Sequence, residues 1–377
     1  MGFSLSQEQE LLRKAAQEFA EEHVAPRVEW MEETQQVPWD VLKKMGELGF
    51  MGVTAPAALG GSGLGHVARM LNLEELSRVS ASVAMTLQMA HVGIQALLDG
   101  GNDEQKQQYV PPLAQGKQLS TLALTETTGG SDPTGLVMQA KLEGDNYVLN
   151  GRKVFITNSH VSDVMVAVGR TGEGPKGVSA FIVEKGTPGF RPGREEHKFA
   201  LAGCNTGEVV FENCVVPRRN LLGNEGDGLR IALKGIGEVG RAGMAGCALG
   251  VLRASLEAAA KFSKERIVGG QPISKLQSLQ WKLADMYMDL AVSRLLAYRA
   301  AELKDRGQRC DVEMAMAKYY SVEAAIRAAK NAVDIHGGYG CLMEYPVQRY
   351  YRDAALLGPS AGTSDIMKVI MARAALA

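Results

Sequence analysis

The sequence predicts a mainly α-helical chain of the α+β class: helices first, then a small antiparallel β domain, then a helical bundle. Three observations predict it. Apolar residues recur at helical spacing through the first third of the chain. Near Leu119 the texture changes to short apolar or alternating runs separated by turn residues. From Gly228 onward, long stretches rich in Ala, Leu, Lys and Glu return.

In the first part, Ser6 and Gln9 form an S-x-x-Q capping pair, followed by Leu11, Leu12, Ala15, Phe19 and Val24. Further helices are expected over 39–48, 67–80, 83–98 and 103–115. The glycine-rich stretch 59–65 breaks the series. In the middle, strands are expected at 120–124, 147–149, 164–168, 179–183 and 208–211. Gly144-Asp-Asn146, Asn150-Gly151, Gly172–Pro175 and Pro188-Gly189 supply turns. Long helices then cover 229–266, 276–306 and 311–336, with a last one from about Thr363. Domain boundaries follow at 1–118, 119–224 and 225–377.

Composition narrows the function classes. The chain has 377 residues, 46% of them apolar, enough for two or three cores. Its 41 basic and 42 acidic side chains leave a net charge of -1, so bulk charge predicts neither nucleic-acid nor membrane binding. No uninterrupted apolar run reaches bilayer length. The five cysteines are scattered without CxxC spacing, which argues against a zinc site or disulfide framework and for a reducing compartment. The N-terminus is too acidic for a targeting peptide, so a cytoplasmic protein is expected.

Five segments carry chemistry. Leu124-Thr-Glu-Thr-Thr-Gly-Gly-Ser-Asp132 is a glycine-bearing loop that lets backbone approach a ligand closely, or serves as a plain turn. Asn150-Gly-Arg-Lys-Val-Phe-Ile-Thr-Asn158 is a hairpin turn leading into an aromatic strand. Thr206–Pro217 with Asn220-Leu-Leu-Gly223 closes the β region. Glu265-Arg266, Gln271-Pro-Ile273, Gln277 and Lys282–Met286 follow, and then His336-Gly-Gly-Tyr-Gly340 with Glu344-Tyr-Pro346 and Arg352-Asp353.

In this order and at these gaps, the segments resemble the acyl-CoA dehydrogenase family across nearly the whole chain. Thr127 stands where the family has proline, Gly269 where it has Phe, and Asp334 where glutamine is common. The resemblance implies an N-terminal helical domain, a central β-sandwich or barrel and a C-terminal four-helix bundle. It also implies FAD as cofactor, electron-transfer flavoprotein as electron partner and a homotetramer built as a dimer of dimers. FAD contacts carry over to Leu122, Leu124, Thr125, Gly130, Ser131, Phe155, Ile156, Thr157, Arg266, Gln277, Asp334, Gly337, Gly338, Thr363 and Asp365. Acyl-CoA contacts carry over to Ser131, Glu238, Arg241 and Gly362. Glu238 and Arg241, three apart on one helix face, also suit an internal ion pair.

The family removes an α-proton with a Glu placed just before G-T-S or just before the long helix's Arg. Here those positions hold Ala361 and Gly240, which accept no proton. A positioned base supplies roughly 10²–10⁴ in rate, so its loss matters. His91 and Glu238 are the substitute candidates; Asp365, Tyr339 and Glu126 are weaker ones.

Three functions remain open. One is an acyl-CoA dehydrogenase with a relocated base, acting on an alicyclic or otherwise unusual acyl group. The second is altered flavin chemistry, such as enoyl-CoA reduction or elimination. Desulfinating relatives carry an Arg in the acyl pocket, and Ser82–Met89 has none. The third is a non-catalytic flavin- or acyl-CoA-binding subunit.

Overall fold

The computed structural model describes residues 5–377; positions 1–4 lie outside the described residues. The N-terminal helices are α1 (Gln7–Phe19), α2 (Val28–Thr34), α3 (Trp39–Glu47), α4 (Gly65–Val79), α5 (Ala81–Gly100) and α6 (Asp103–Ala114). Ser6 and Gln9 form the expected capping box: Gln9 N–H donates to Ser6 Oγ at 3.1 Å and Ser6 N–H to Gln9 Oε1 at 3.0 Å. α1 then widens into a π turn over Ala20–Val24. α5 meets the length and hydropathy of a membrane span, contrary to the expectation that no stretch does so. It is 83% buried within the protein, as the core helix of a folded domain is.

The middle region holds β1 (Ser120–Ala123), β2 (Gln139–Glu143), β3 (Asn146–Thr157), β4 (Val164–Arg170), β5 (Val178–Glu184), β6 (Phe190–Glu195), β7 (Thr206–Pro217) and β8 (Leu221–Leu222). They form one sheet of order β6-β7-β3-β2-β4-β5-β8, with β1 paired to β4. Most pairs are antiparallel, but β1 runs parallel to β4, placing Ser120 opposite Val164. β4 and β5 are buried on both faces. Val164, Val166, Val168, Val178, Ala180 and Ile182 join α5 and α6 in one core, while Met165, Ala167, Phe181 and Val183 face a second core inside the sheet. Two-sided burial explains why these strands read as apolar runs and not as alternation.

The C-terminal region comprises α7 (Gly228–Lys234), α8 (Arg241–Glu265), a short hairpin of β9 (Ile267–Val268) and β10 (Gln271–Pro272), α9 (Gln277–Asp305), α10 (Asp311–His336), α11 (Val347–Leu357) and α12 (Ser364–Ala375). Helices α8 to α11 pack as the bundle, with α12 against α10. The expected single helix 229–266 is divided. A π turn over Gly235–Gly240 separates α7, whose Leu229, Ile231 and Ala232 enter the sheet-side core, from α8, which enters the helical core. Glycines let α8 lie hard against its neighbours: a Cβ on Gly250 would sit 2.5 Å from backbone atoms of α4, and one on Gly243 would collide with the Gln88 amide of α5. That close approach fixes α4, α5 and α8 around one buried point.

Candidate active site

The glycine-bearing loop is pinned from below. Lys153 and Glu126 form a buried ion pair at 2.6 Å. Lys153 Nζ also donates to the Leu124 carbonyl at 3.1 Å, and the Glu126 carboxylate accepts the Val137 and Met138 N–H groups at 2.7 and 3.1 Å. Burial pulls the Lys153 ammonium down to about 8, with Glu126 holding it up. Glu126 is thereby committed to the loop. Leu122 and Leu124 are buried on β1 and beyond it, Thr125 is half-buried, and Gly130 and Ser131 lie exposed at the tip.

Beside the loop, β3 carries Phe155, Ile156 and Thr157. Its register against β7 shifts between Lys153 and Ile156, and this bulge puts Phe155 in the left-handed region at φ 57°. A bulky residue held there stores strain of about 1–3 kcal/mol. Its ring is nonetheless 67% exposed. Ile156 is buried. The Thr157 carbonyl accepts Thr121 Oγ1 at 2.7 Å, and Asn158 Nδ2 reaches the Thr86 carbonyl of α5 at 3.1 Å, so this wall is locked to β1 and α5. A strained, outward-facing aromatic on a rigid edge fits a planar isoalloxazine.

The bundle supplies a second wall. Phe262, Arg266, Ile273, His336, Gly337 and Tyr339 line a cleft of about 370 Å³. Phe262 stacks on His336 with ring centres 4.1 Å apart, and the Arg266 guanidinium lies 5.4 Å from the Tyr339 ring centre. Gly337 turns at φ 58°, and Gly338 beside it is exposed. An open apolar slot edged by a guanidinium suits an adenine and its pyrophosphate. Gln277 opens α9 with its side chain exposed. Asp334 is engaged by Lys282 at 2.8 Å and Lys330 at 2.9 Å. Thr363 caps α12 by accepting the Ile366 N–H, and Asp365 is exposed and paired with Lys368 at 3.3 Å.

The two positions where the resemblance places the base come together where the π turn meets the loop before α12. A Cβ placed on Gly240 would lie 3.5 Å from that of Ala361, so the two positions share one point and neither brings an ionisable group. Gly362 follows at φ 94°. Glu238 is not poised here: its carboxylate pairs with Lys304 of α9. Nor does it pair with Arg241, because the wider π turn moves residues three apart off a common face. Arg241 is mostly buried, and its Nε has no partner. Lys318 of α10 donates to the Gly358 carbonyl at 2.6 Å and so fixes the loop that carries Ala361; burial pulls its ammonium down to about 8.

His91 is fully buried and faces elsewhere. Its Nε2 donates to the Phe50 carbonyl at 3.0 Å. Burial, then the charge of Arg69, hold it down at about 3, so it stays neutral and is a weak base. Two residues not anticipated from sequence lie beneath Gly240. Arg69 Nη1 donates to Gln88 Oε1 at 2.7 Å and to the Val239 carbonyl at 3.1 Å, and Gln88 Nε2 reaches the Val239 and Gly240 carbonyls at 3.0 and 3.3 Å. The signal was Arg69 in line with His66 and Asn72 at helical spacing, a polar stripe within the otherwise apolar stretch 66–73.

The fold, with an exposed aromatic edge on the sheet and an apolar slot edged by a guanidinium, suits an FAD oxidoreductase. Sequence models of the acyl-CoA dehydrogenase N-terminal, middle and C-terminal domains match residues 6–117, 121–214 and 226–376. An acyl-CoA dehydrogenase of Bacillus subtilis is 43% identical over 372 residues, covering 98% of each chain. The CarC subunit of the caffeyl-CoA reductase-Etf complex of Acetobacterium woodii is 38% identical, covering 97% of each. The butyryl-CoA dehydrogenase structure from Megasphaera elsdenii superposes with a TM-score of 0.98 at 36% identity, covering 100% of both chains. The chain belongs to the acyl-CoA dehydrogenase family. It is an enzyme of the CH–CH class, and its cofactor is FAD.

Proposed function

We propose that the protein exchanges electrons between the Cα–Cβ bond of an acyl-CoA thioester and electron-transfer flavoprotein, with no carboxylate from the chain at the α-carbon. One observation carries this reading: Gly240 and Ala361, the two positions where the resemblance expects the base, meet each other, and both lack a proton-accepting group. Bound FAD supplies the hydride acceptor or donor. The chain's own residues position and enclose. Phe155 backs the ring, Arg266 takes the pyrophosphate, and Arg241, with its unpartnered Nε, takes an anionic or carbonyl group of the CoA arm. The α-proton passes to or from a group other than His91 and Glu238, whose hydrogen bonds occupy them.

A missing carboxylate hampers desaturation more than reduction of an activated enoyl thioester, where water can deliver the proton. The reductase reading therefore stands beside the dehydrogenase one, and the likeness to a caffeyl-CoA reductase subunit favours it. The same reading makes the chain a cytoplasmic homotetramer, a dimer of dimers. Support comes from α9, where Trp281, Met288 and Leu295 recur at helical spacing with 61, 62 and 60% exposure.

The test is anaerobic. Oxidised holoenzyme receives a panel of saturated acyl-CoAs, and reduced holoenzyme receives the matching enoyl-CoAs. Bleaching by a saturated ester marks a dehydrogenase; reoxidation by an enoyl ester without bleaching marks a reductase. If neither family of esters changes the flavin spectrum, the reading fails.

A further inference from the structure

Arg69 of α4 and Gln88 of α5 are fully buried, and both end on the same turn. Arg69 Nη1 donates to Gln88 Oε1 at 2.7 Å and to the Val239 carbonyl at 3.1 Å. Gln88 Nε2 donates to the Val239 and Gly240 carbonyls at 3.0 and 3.3 Å. Among the described residues, Arg69 hydrogen-bonds only these neutral oxygens. Holding a cation there is costly, and burial pulls the guanidinium down to about 10. An apolar side chain would fill the same space at less cost, so the bonds to the turn are what the arginine adds.

The turn needs such donors. Over Gly235–Gly240 the main-chain bonds join residues five apart, as the Arg241 N–H does with the Ile236 carbonyl. Where this spacing gives way to the four-residue bonds of α8, a carbonyl loses its main-chain partner and, being buried, takes another. Val239 and Gly240 stand at that changeover, and side chains from two other helices reach their carbonyls. The Gln88 amide has its seat there because residue 243 lacks a side chain: a Cβ on Gly243 would lie 1.7 Å from Gln88 Oε1. What the turn carries is Arg241. Its guanidinium lies back over the turn, with Nη1 3.6 Å from a Cβ built on Gly237, and its Nε has no partner. Resting on the acyl-CoA reading above, in which Arg241 takes the CoA arm, we propose that Arg69 and Gln88 are positioning residues that hold the π turn open and so keep the Arg241 guanidinium where the CoA arm meets it. Neither touches the substrate.

The experiment is calorimetric titration of the holoenzyme with coenzyme A and with butyryl-CoA, beside FAD titration of the stripped proteins. Arg241→Ala should weaken both CoA titrants about tenfold. Arg69→Met should weaken them about as much with FAD affinity unchanged, and Arg69→Lys, which keeps a donor, should recover most of the loss. In the double variant Arg69→Met/Arg241→Ala, binding should be no weaker than in Arg241→Ala alone, because the first arginine acts through the second. Gln88→Met removes bonds to the same carbonyls from an uncharged residue and gives the same comparison if Arg69→Met does not fold. Wild-type affinity in a folded Met variant, or losses that add in the double variant, overturns the inference and leaves the acyl-CoA reading standing. Failure of both Met variants to fold does the same, since the pair then serves the core alone. Wild-type affinity in Arg241→Ala overturns the role of Arg241 and the inference with it. Failure of the wild type to bind either titrant overturns the acyl-CoA reading itself.

Discussion

Gly240 and Ala361 approach so closely that side chains at both positions would touch, with 3.5 Å between a built Cβ on the one and the Cβ of the other. Gly240 has helical dihedrals, φ -60° and ψ -54°, and its other near neighbours, in Ile236, stand at ordinary contact distance. Gly240→Glu is therefore expected to fold. It should raise the rate of flavin bleaching by a saturated acyl-CoA by about 10²–10⁴. Stopped-flow bleaching under nitrogen measures this; an unchanged rate would mean that proton removal does not limit the reaction.

His91→Gln keeps a donor for the Phe50 carbonyl and should leave turnover within about twofold, since the ring is neutral and buried. Its effect belongs to stability. The folded imidazole titrates near 3 and the unfolded one near 6.5. On acidification the unfolded state gains the proton first, so stability is full above about 6.5 and falls between there and about 3. At pH 5.5 this one histidine should cost about 1.4 kcal/mol relative to neutral pH. Urea midpoints at the two pH values should show the wild type losing that much more than the variant.

Phe155→Ala removes the exposed ring and keeps the Cβ that the left-handed backbone already carries. FAD affinity should fall about tenfold, from a lost stacking contact worth roughly 1–1.5 kcal/mol. Thermal stability of the FAD-free protein should hold or rise. Equal FAD affinity in titrations of the stripped proteins would remove Phe155 from the flavin wall.

Lys153→Met strands the Glu126 carboxylate in the core, keeping only its two backbone N–H partners. A broken buried pair of this kind costs about 3–5 kcal/mol. Urea unfolding checks the figure. Replacing both partners by apolar residues should cost less than the single change.

Local signals carried much of this fold in the sequence. Ser6 and Gln9 announce α1, and the Ala- and Leu-rich stretches announce α9 and α10. Apart from the two-residue strands β8, β9 and β10, the unexpected strands have a physical reason: Gln139–Glu143 and Phe190–Glu195 are largely solvent-facing and polar, so no apolar run marks them. Helix α11 was hidden because its apolar residues are interleaved with Arg349, Arg352 and Asp353, which make tertiary bonds, such as Asp353 with the Leu201 N–H at 2.8 Å. At the candidate site, the lack of an ionisable group at Gly240 and Ala361 could be read from the chain. The partners of Glu238 and His91 were not, because Lys304 and Phe50 lie far away in sequence. Arg69 was legible only as an odd charge; what surrounds it depends on how α4, α5 and α8 converge.

The π turn over Gly235–Gly240 also sets the phase between two halves of the molecule. α7 is keyed to the sheet-side core and α8 to the helical one, and the extra residue in the turn is what lets both engage at once. Wound as a regular α-helix, the same residues would rotate one helix against the other by roughly 100°. At this joint the winding of the backbone keeps the sheet side and the bundle in step.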